Sequence, residues 1–152
     1  MDGKFHYVTD EHARTARMEV DGHMEPLSDG EKGVRSAHTQ SKVKALGDDL
    51  PGEHNGGHGA GTQFHGPPEK INVVAMLKEV NQNFPDSDFK SYLKLEQQIA
   101  DTPGNYKGFA VDFDYRDPAG PELTKTEQVP TEFKATWTDA KGVPQSLPFA
   151  NQ

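Results

Sequence analysis

Residues 52–76, GEHNGGHGAGTQFHGPPEKINVVAM, decide how this chain is read. They run from a segment dense in glycine into the apolar INVVAM, which has the length and β-branched content of a strand. A polar turn follows, and then DFKSYLKLEQQIA (88–100), where Phe89, Tyr92, Leu93 and Glu96 share one helical face that Ile99 and Ala100 extend. Asp86, Ser87 or Asp88 can cap that helix, and Pro103-Gly104 ends it. This block, 58–101, is flanked by simpler stretches. Upstream, residues 4–24 read as a hairpin, because Ala16, Met18 and Val20 alternate with Arg17, Glu19 and Asp21. Residues 25–57 form a polar loop region with one short helix near 35–46. Downstream, residues 107–151 hold the strands KGFAVDFDYRD, TEFKATWTD and SLPFAN, with Ala140-Lys-Gly142 as the turn between the last two. The sum is an α+β chain, 1–152, read as one domain: a mostly antiparallel sheet, one substantial helix and long polar loops.

Composition narrows the function. Only 32% of the 152 residues are hydrophobic, and 15 glycines with 11 prolines argue for many turns around one modest core. Spanning a bilayer takes about 20 consecutive apolar residues, and no run approaches that. The opening MDGKFHYVTDEH lacks the basic-then-apolar order of a signal peptide, so export is expected to depend on other means. Cysteine is absent, which excludes disulfides, thiolate metal sites and cysteine nucleophiles. The net charge of −8 weighs against a nucleic-acid binder, which is expected to be basic at least locally. A bound metal ion or a basic partner protein would offset it.

The chemistry lies in the central block. Glycines on both sides of His58 clear space for a bulky phosphodiester to approach its imidazole. Asn72 opens the next strand, Asn81 lies near the mouth of the helix, and Glu96 sits among apolar neighbours within it. A neutral imidazole can take a proton from water near pH 7. Magnesium keeps most of its waters, so the amide oxygen of Asn81 can suffice as a protein ligand. Each residue also has a plainer reading. Asn81 could cap a turn, Glu96 could be an exposed partner of Lys94, Asn72 could pin a strand end, and Arg35 could be merely solvated. His54, His58 and His65 have the spacing H-x3-H-x6-H of zinc ligands, but Asn55-Gly-Gly between the first two does not make a stable helix.

The order Gly-Gly-His58, FHGP, Ile-Asn72-Val-Val, Asn81 and Leu-Glu96 resembles the DNA/RNA non-specific endonucleases of the ββα-metal, or His-Me finger, group. The nearer likeness is to the bacterial polymorphic-toxin branch, with its DD-x-GH, Phe-Gly-Gly, NLVP and Tyr-x-x-x-Glu pattern. YVTDEHARTARMEV is similar to that branch's N-terminal hairpin, with its DexGR run, and PFAN to its usual end. The resemblance implies His58 as general base and Asn81 as ligand of Mg2+ or Mn2+. It further implies that Glu96 holds metal-bound water, Asn72 supports the site and Arg35 steadies the phosphate. It implies DNA, with RNA as a second substrate, and a secreted effector that acts in the target-cell cytoplasm and is neutralised by a cognate immunity protein. Three features depart from the pattern: His54-Asn55 replaces the acidic pair, Ala75 replaces the proline of NLVP, and NFPDSD (83–88) looks inserted. These departures keep a rival open, a catalytically degenerate nuclease fold serving as an interaction module. A metal-binding regulatory domain is a third possibility.

Overall fold

The computed structural model describes residues 5–28, 31–82 and 90–152. Five strands make an antiparallel sheet: β1 (Phe5–Thr9), β2 (Thr15–Val20), β5 (Lys107–Asp114), β6 (Glu132–Thr138) and β7 (Pro144–Ala150), adjacent in that order. β3 (His54–His58) and β4 (Val73–Leu77) form a separate antiparallel pair, from His54 opposite Leu77 to His58 opposite Val73. Among the described residues three α-helices complete the α+β fold: α1 (Ala37–Ala45), α2 (Lys78–Asn81) and α3 (Tyr92–Asp101).

The alternation expected of β2 holds at Met18, Glu19 and Val20, whereas Ala16 and Arg17 are both half-buried. β4 is buried along its whole length because it is covered on both sides. Val74 and Met76 enter the main core, whereas Val73 and Ala75 meet Val43 of α1 and Val129. Two-sided burial accounts for an unbroken apolar run in place of alternation. The main core joins the sheet to α3 through aromatic rings. Tyr92 packs edge-on against both Phe133 and Phe149, each at a centroid distance of 5.4 Å.

Several boundaries differ from the sequence reading. HNGGH lies in the stretch expected to be loop, yet it is strand β3. Its pairing with β4 satisfies the backbone that its side chains do little to order. Gly56 also lets the backbone of α1 come close, since a Cβ there would meet Gln40 Cα at 2.7 Å. Asn72 does not open β4 but ends a short 3-10 turn, Lys70–Asn72, just before it. On α3 the buried set is Tyr92, Leu95, Glu96 and Ile99, so Leu95 occupies the core where Leu93 was expected. Ser91 caps that helix by accepting from Lys94 N at 3.1 Å. The proposed caps Asp86, Ser87 and Asp88, with Phe89, lie outside the described residues.

Candidate active site

Four chain segments meet at one cleft of about 390 Å³, lined by Arg35, His58, Asn81 and Glu96. His58 ends β3, Asn81 ends α2, Glu96 lies mid-way along α3, and Arg35 precedes the Ser36 cap of α1. Two contacts set how closely these segments approach. The Tyr92 hydroxyl donates to Gly59 O at 2.5 Å, fixing α3 over the loop that leaves β3. A Cβ on Gly61 would collide with the Glu96 carboxylate, and one on Gly57 would stand 2.7 Å from Asn81 Oδ1. The glycines around His58 therefore make room for the site's own amide and carboxylate.

Burial shapes the electrostatics. His58 is 8% exposed, and its Nε2 is buried with no hydrogen-bond partner. Loss of hydration, together with the Arg35 charge, holds its pKa below the usual 6.5, so the imidazole is neutral at pH 7. Glu96 is 7% exposed, and its Oε2 likewise has no partner. Burial pushes its pKa up to about 8, against the pull of a hydrogen bond with the Gly61 backbone and of the Arg35 charge. Glu96 is thus not the exposed partner of Lys94. Two buried polar atoms without partners facing one cleft are a costly arrangement unless something occupies it.

Asn72 stands apart from this group. It does not line the cleft but lies behind it, 2% exposed. Its Oδ1 accepts from Tyr7 Oη (2.9 Å) and Ala60 N (2.7 Å), while Nδ2 donates to Ala60 O (2.8 Å) and Pro67 O (2.9 Å). The amide is fully used in holding the loop that carries Gly61, which makes Asn72 a positioning residue. The zinc spacing fares worse. His54 and His58 stand at opposite ends of a strand, about 13 Å apart at ~3.3 Å per residue. His65 is turned toward Glu31, at 3.7 Å. Among the described residues no three His, Cys, Asp or Glu side chains cluster as metal ligands. What the cleft offers, among the described residues, is the Glu96 carboxyl and several amide oxygens, Asn81 among them, donors that suit a hydrated hard cation such as magnesium.

Sequence reading missed Gln40, whose Nε2 donates to Gly56 O at 3.0 Å and which lines the same cleft. A polar side chain in a weakly amphipathic helix gave no signal of this role.

The strand pair runs straight into α2, which ends on Asn81, with His58 on the pair and Glu96 on the next helix, α3; this is the ββα order of the ββα nucleases. Residues 1–135 match the DNA/RNA non-specific endonuclease family, and the chain belongs to it. NucA from Streptococcus agalactiae, solved with no metal bound, has a similar fold: TM-score 0.56 at 16% identity, covering 97% of this chain and 70% of that one. No curated protein sequence matches the chain.

Proposed function

We propose that this domain is a magnesium- or manganese-dependent endonuclease that hydrolyses DNA, and RNA as well, with little sequence preference. The observation that carries the reading is the convergence of two unpartnered buried atoms, His58 Nε2 and Glu96 Oε2, on the cleft that Arg35 and Asn81 also line. In this reading neutral His58 takes a proton from the water that attacks phosphorus, and the bond to the leaving oxygen breaks. Arg35 neutralises the non-bridging oxygens by charge-assisted hydrogen bonds. Asn81, through its amide oxygen, and Glu96, whose carboxyl would give up its proton to solvent on binding, would hold the cation. When bound, the cation supplies positive charge to the phosphate and to the leaving oxygen. Asn72 contributes only by keeping the Gly61 loop in place.

The test is plasmid nicking and RNA degradation by wild type and His58→Ala with magnesium, manganese or EDTA. Metal-dependent cleavage should fall by about 10²–10⁴-fold in the variant. Cleavage that survives the substitution would move the base elsewhere. A wild type that cleaves nothing under any metal would leave the interaction-module reading standing.

We further propose that the domain is the toxin part of a larger secreted effector, active in the target-cell cytoplasm and neutralised by an immunity protein. This rests on the likeness of the N-terminal hairpin and of PFAN to the toxin branch, and the −8 charge suits a basic partner. Induced cytoplasmic expression should arrest growth in wild type but not in His58→Ala; equal growth of the two would count against a toxic nuclease.

A further inference from the structure

We infer that the groove running from the cleft along α1 carries the strand flanking the scissile phosphate, with Lys44 as a second phosphate contact. This inference rests on the nuclease reading above. The cleft does not end at Arg35. A second depression of about 380 Å³ shares Arg35, Gln40, Gly56, Asn81 and Gln82 with it, then continues past Ser41 and Asn55 to Lys44. The two form one trough with the candidate base at one end and a lysine at the other.

The charges in this trough run against those of the whole chain. The chain has 24 acidic residues to 16 lysines and arginines, yet among the described residues Glu96 is the only acidic one lining either depression, and it is buried. Arg35 and Lys44, like most lysines and arginines among the described residues, form no ion pair, so both charges are available to a ligand. Cations outside any ion pair, in a trough whose one acid among the described residues is buried, suit a polyanion. The walls between them are largely carboxamides, from Gln40, Asn55, Asn81 and Gln82. Amides both donate and accept without charge, so they can meet a sugar or any base edge without selecting a sequence.

The spacing suits a short stretch of strand. Ala37 to Lys44 spans about 10 Å at ~1.5 Å per helical residue. One nucleic-acid strand advances ~3.4 Å of axis per phosphate in a duplex, so the trough accommodates about three nucleotides beside the scissile bond. The floor is kept low by Gly56, where a Cβ would meet the Gln40 backbone.

The experiment measures equilibrium binding of a fluorescent 12-nucleotide single strand to His58→Ala protein, with magnesium and again with EDTA, across a salt series. Lys44→Gln is added to that background and compared with Lys125→Gln, which removes the same charge from an exposed turn away from the trough. Lys44→Gln should lower the slope of log affinity against log salt by about 0.7 and weaken binding about fourfold at 0.15 M salt. Lys125→Gln should change neither. With His58 restored, Lys44→Gln should raise KM for a 6-nucleotide substrate more than for a dinucleotide. Equal effects of the two lysine variants, or no binding in either buffer, would overturn the inference. Failure of the nuclease reading would show separately, as absence of His58-dependent cleavage. Melting curves confirm that both variants are folded.

Discussion

Ala13 holds a left-handed backbone, φ 61°, in the turn between β1 and β2. Asp10 organises that turn, accepting from His12 N and Arg14 N and pairing with Arg14 Nε at 2.7 Å, so the conformation is imposed on the residue by its neighbours. An L-residue there costs about 1–2 kcal/mol, and glycine loses about 0.5–1 kcal/mol of that gain through its freer unfolded chain. Ala13→Gly should therefore stabilise the protein by up to about 1 kcal/mol in urea unfolding; a destabilised variant would show that the turn carries no strain. Glu96 gives a residue-scale effect that depends on pH. Its folded pKa of about 8 lies above the usual 4.5. Between those values the folded protein keeps a proton that the unfolded chain releases. The contribution of Glu96 to stability is therefore fully present below pH 4.5 and is lost as pH rises through 8, by a total on the order of 3–5 kcal/mol. Melting of metal-free protein should show that decline, and Glu96→Gln should flatten it. A slope unchanged in the variant would assign the decline to another group. His58 has the opposite sign: its pKa is depressed, so it stays neutral as pH falls past 6.5. The acid limb of the activity profile should have its midpoint below 6.5, and a midpoint above it would mean that a different group is being titrated.

A side chain just past the C-terminal end of β7 ties the strand pair to the sheet. Asn151 is fully buried: its Oδ1 accepts from Leu77 N, and its Nδ2 donates to Ala75 O and Pro130 O, all at 2.8–2.9 Å. It occupies the edge of β4 as a neighbouring strand would. Asn151→Ala leaves Leu77 N and Ala75 O unmatched, while Pro130 O keeps its bond from Gln152 Nε2, and should cost about 2–4 kcal/mol of stability. A loss under 0.5 kcal/mol would mean that the clamp is replaceable by water. Elements of this kind separate what the sequence made legible from what it hid. β2, β4, β5, β6 and β7 are readable because burial on one face, or on both, writes itself into the side-chain pattern. β3 is not, because His54, Asn55, Gly56 and Gly57 carry no apolar pattern; its conformation is set by β4 and by the Gln40 bond to Gly56 O. The same split runs through the candidate site. His58, Asn81 and Glu96 stand out by residue type and spacing, and the structure brings them together with Arg35. The supporting role of Asn72, the Gln40 contact and the trough to Lys44 depend on tertiary approach, which no local spacing encodes.

At the scale of the whole molecule, a chain with net charge −8 that binds a polyanion is subject to two opposed fields. The trough attracts through Arg35 and Lys44 over contact distances, while the overall charge repels over the Debye length. That length is about 30 Å at 0.01 M salt, comparable with the width of a domain of this size, and about 8 Å at 0.15 M. At low salt an approaching strand therefore meets the repulsion of the entire surface. Near physiological salt the distant carboxylates are screened, and the local cations dominate. Salt beyond that weakens the phosphate contacts themselves by competing counterions. The two effects do not cancel at every concentration, because one acts at a distance and the other in contact. The initial rate of oligonucleotide cleavage, at fixed magnesium and subsaturating substrate, should rise from about 0.01 M to about 0.1 M sodium chloride and then fall. Substituting exposed acids distant from the trough, such as Glu122 and Asp117, by their amides should raise the low-salt rate and move the maximum to lower salt. A rate that declines monotonically from the lowest salt would mean that the acidic surface lies outside the path of approach and that the trough alone governs encounter.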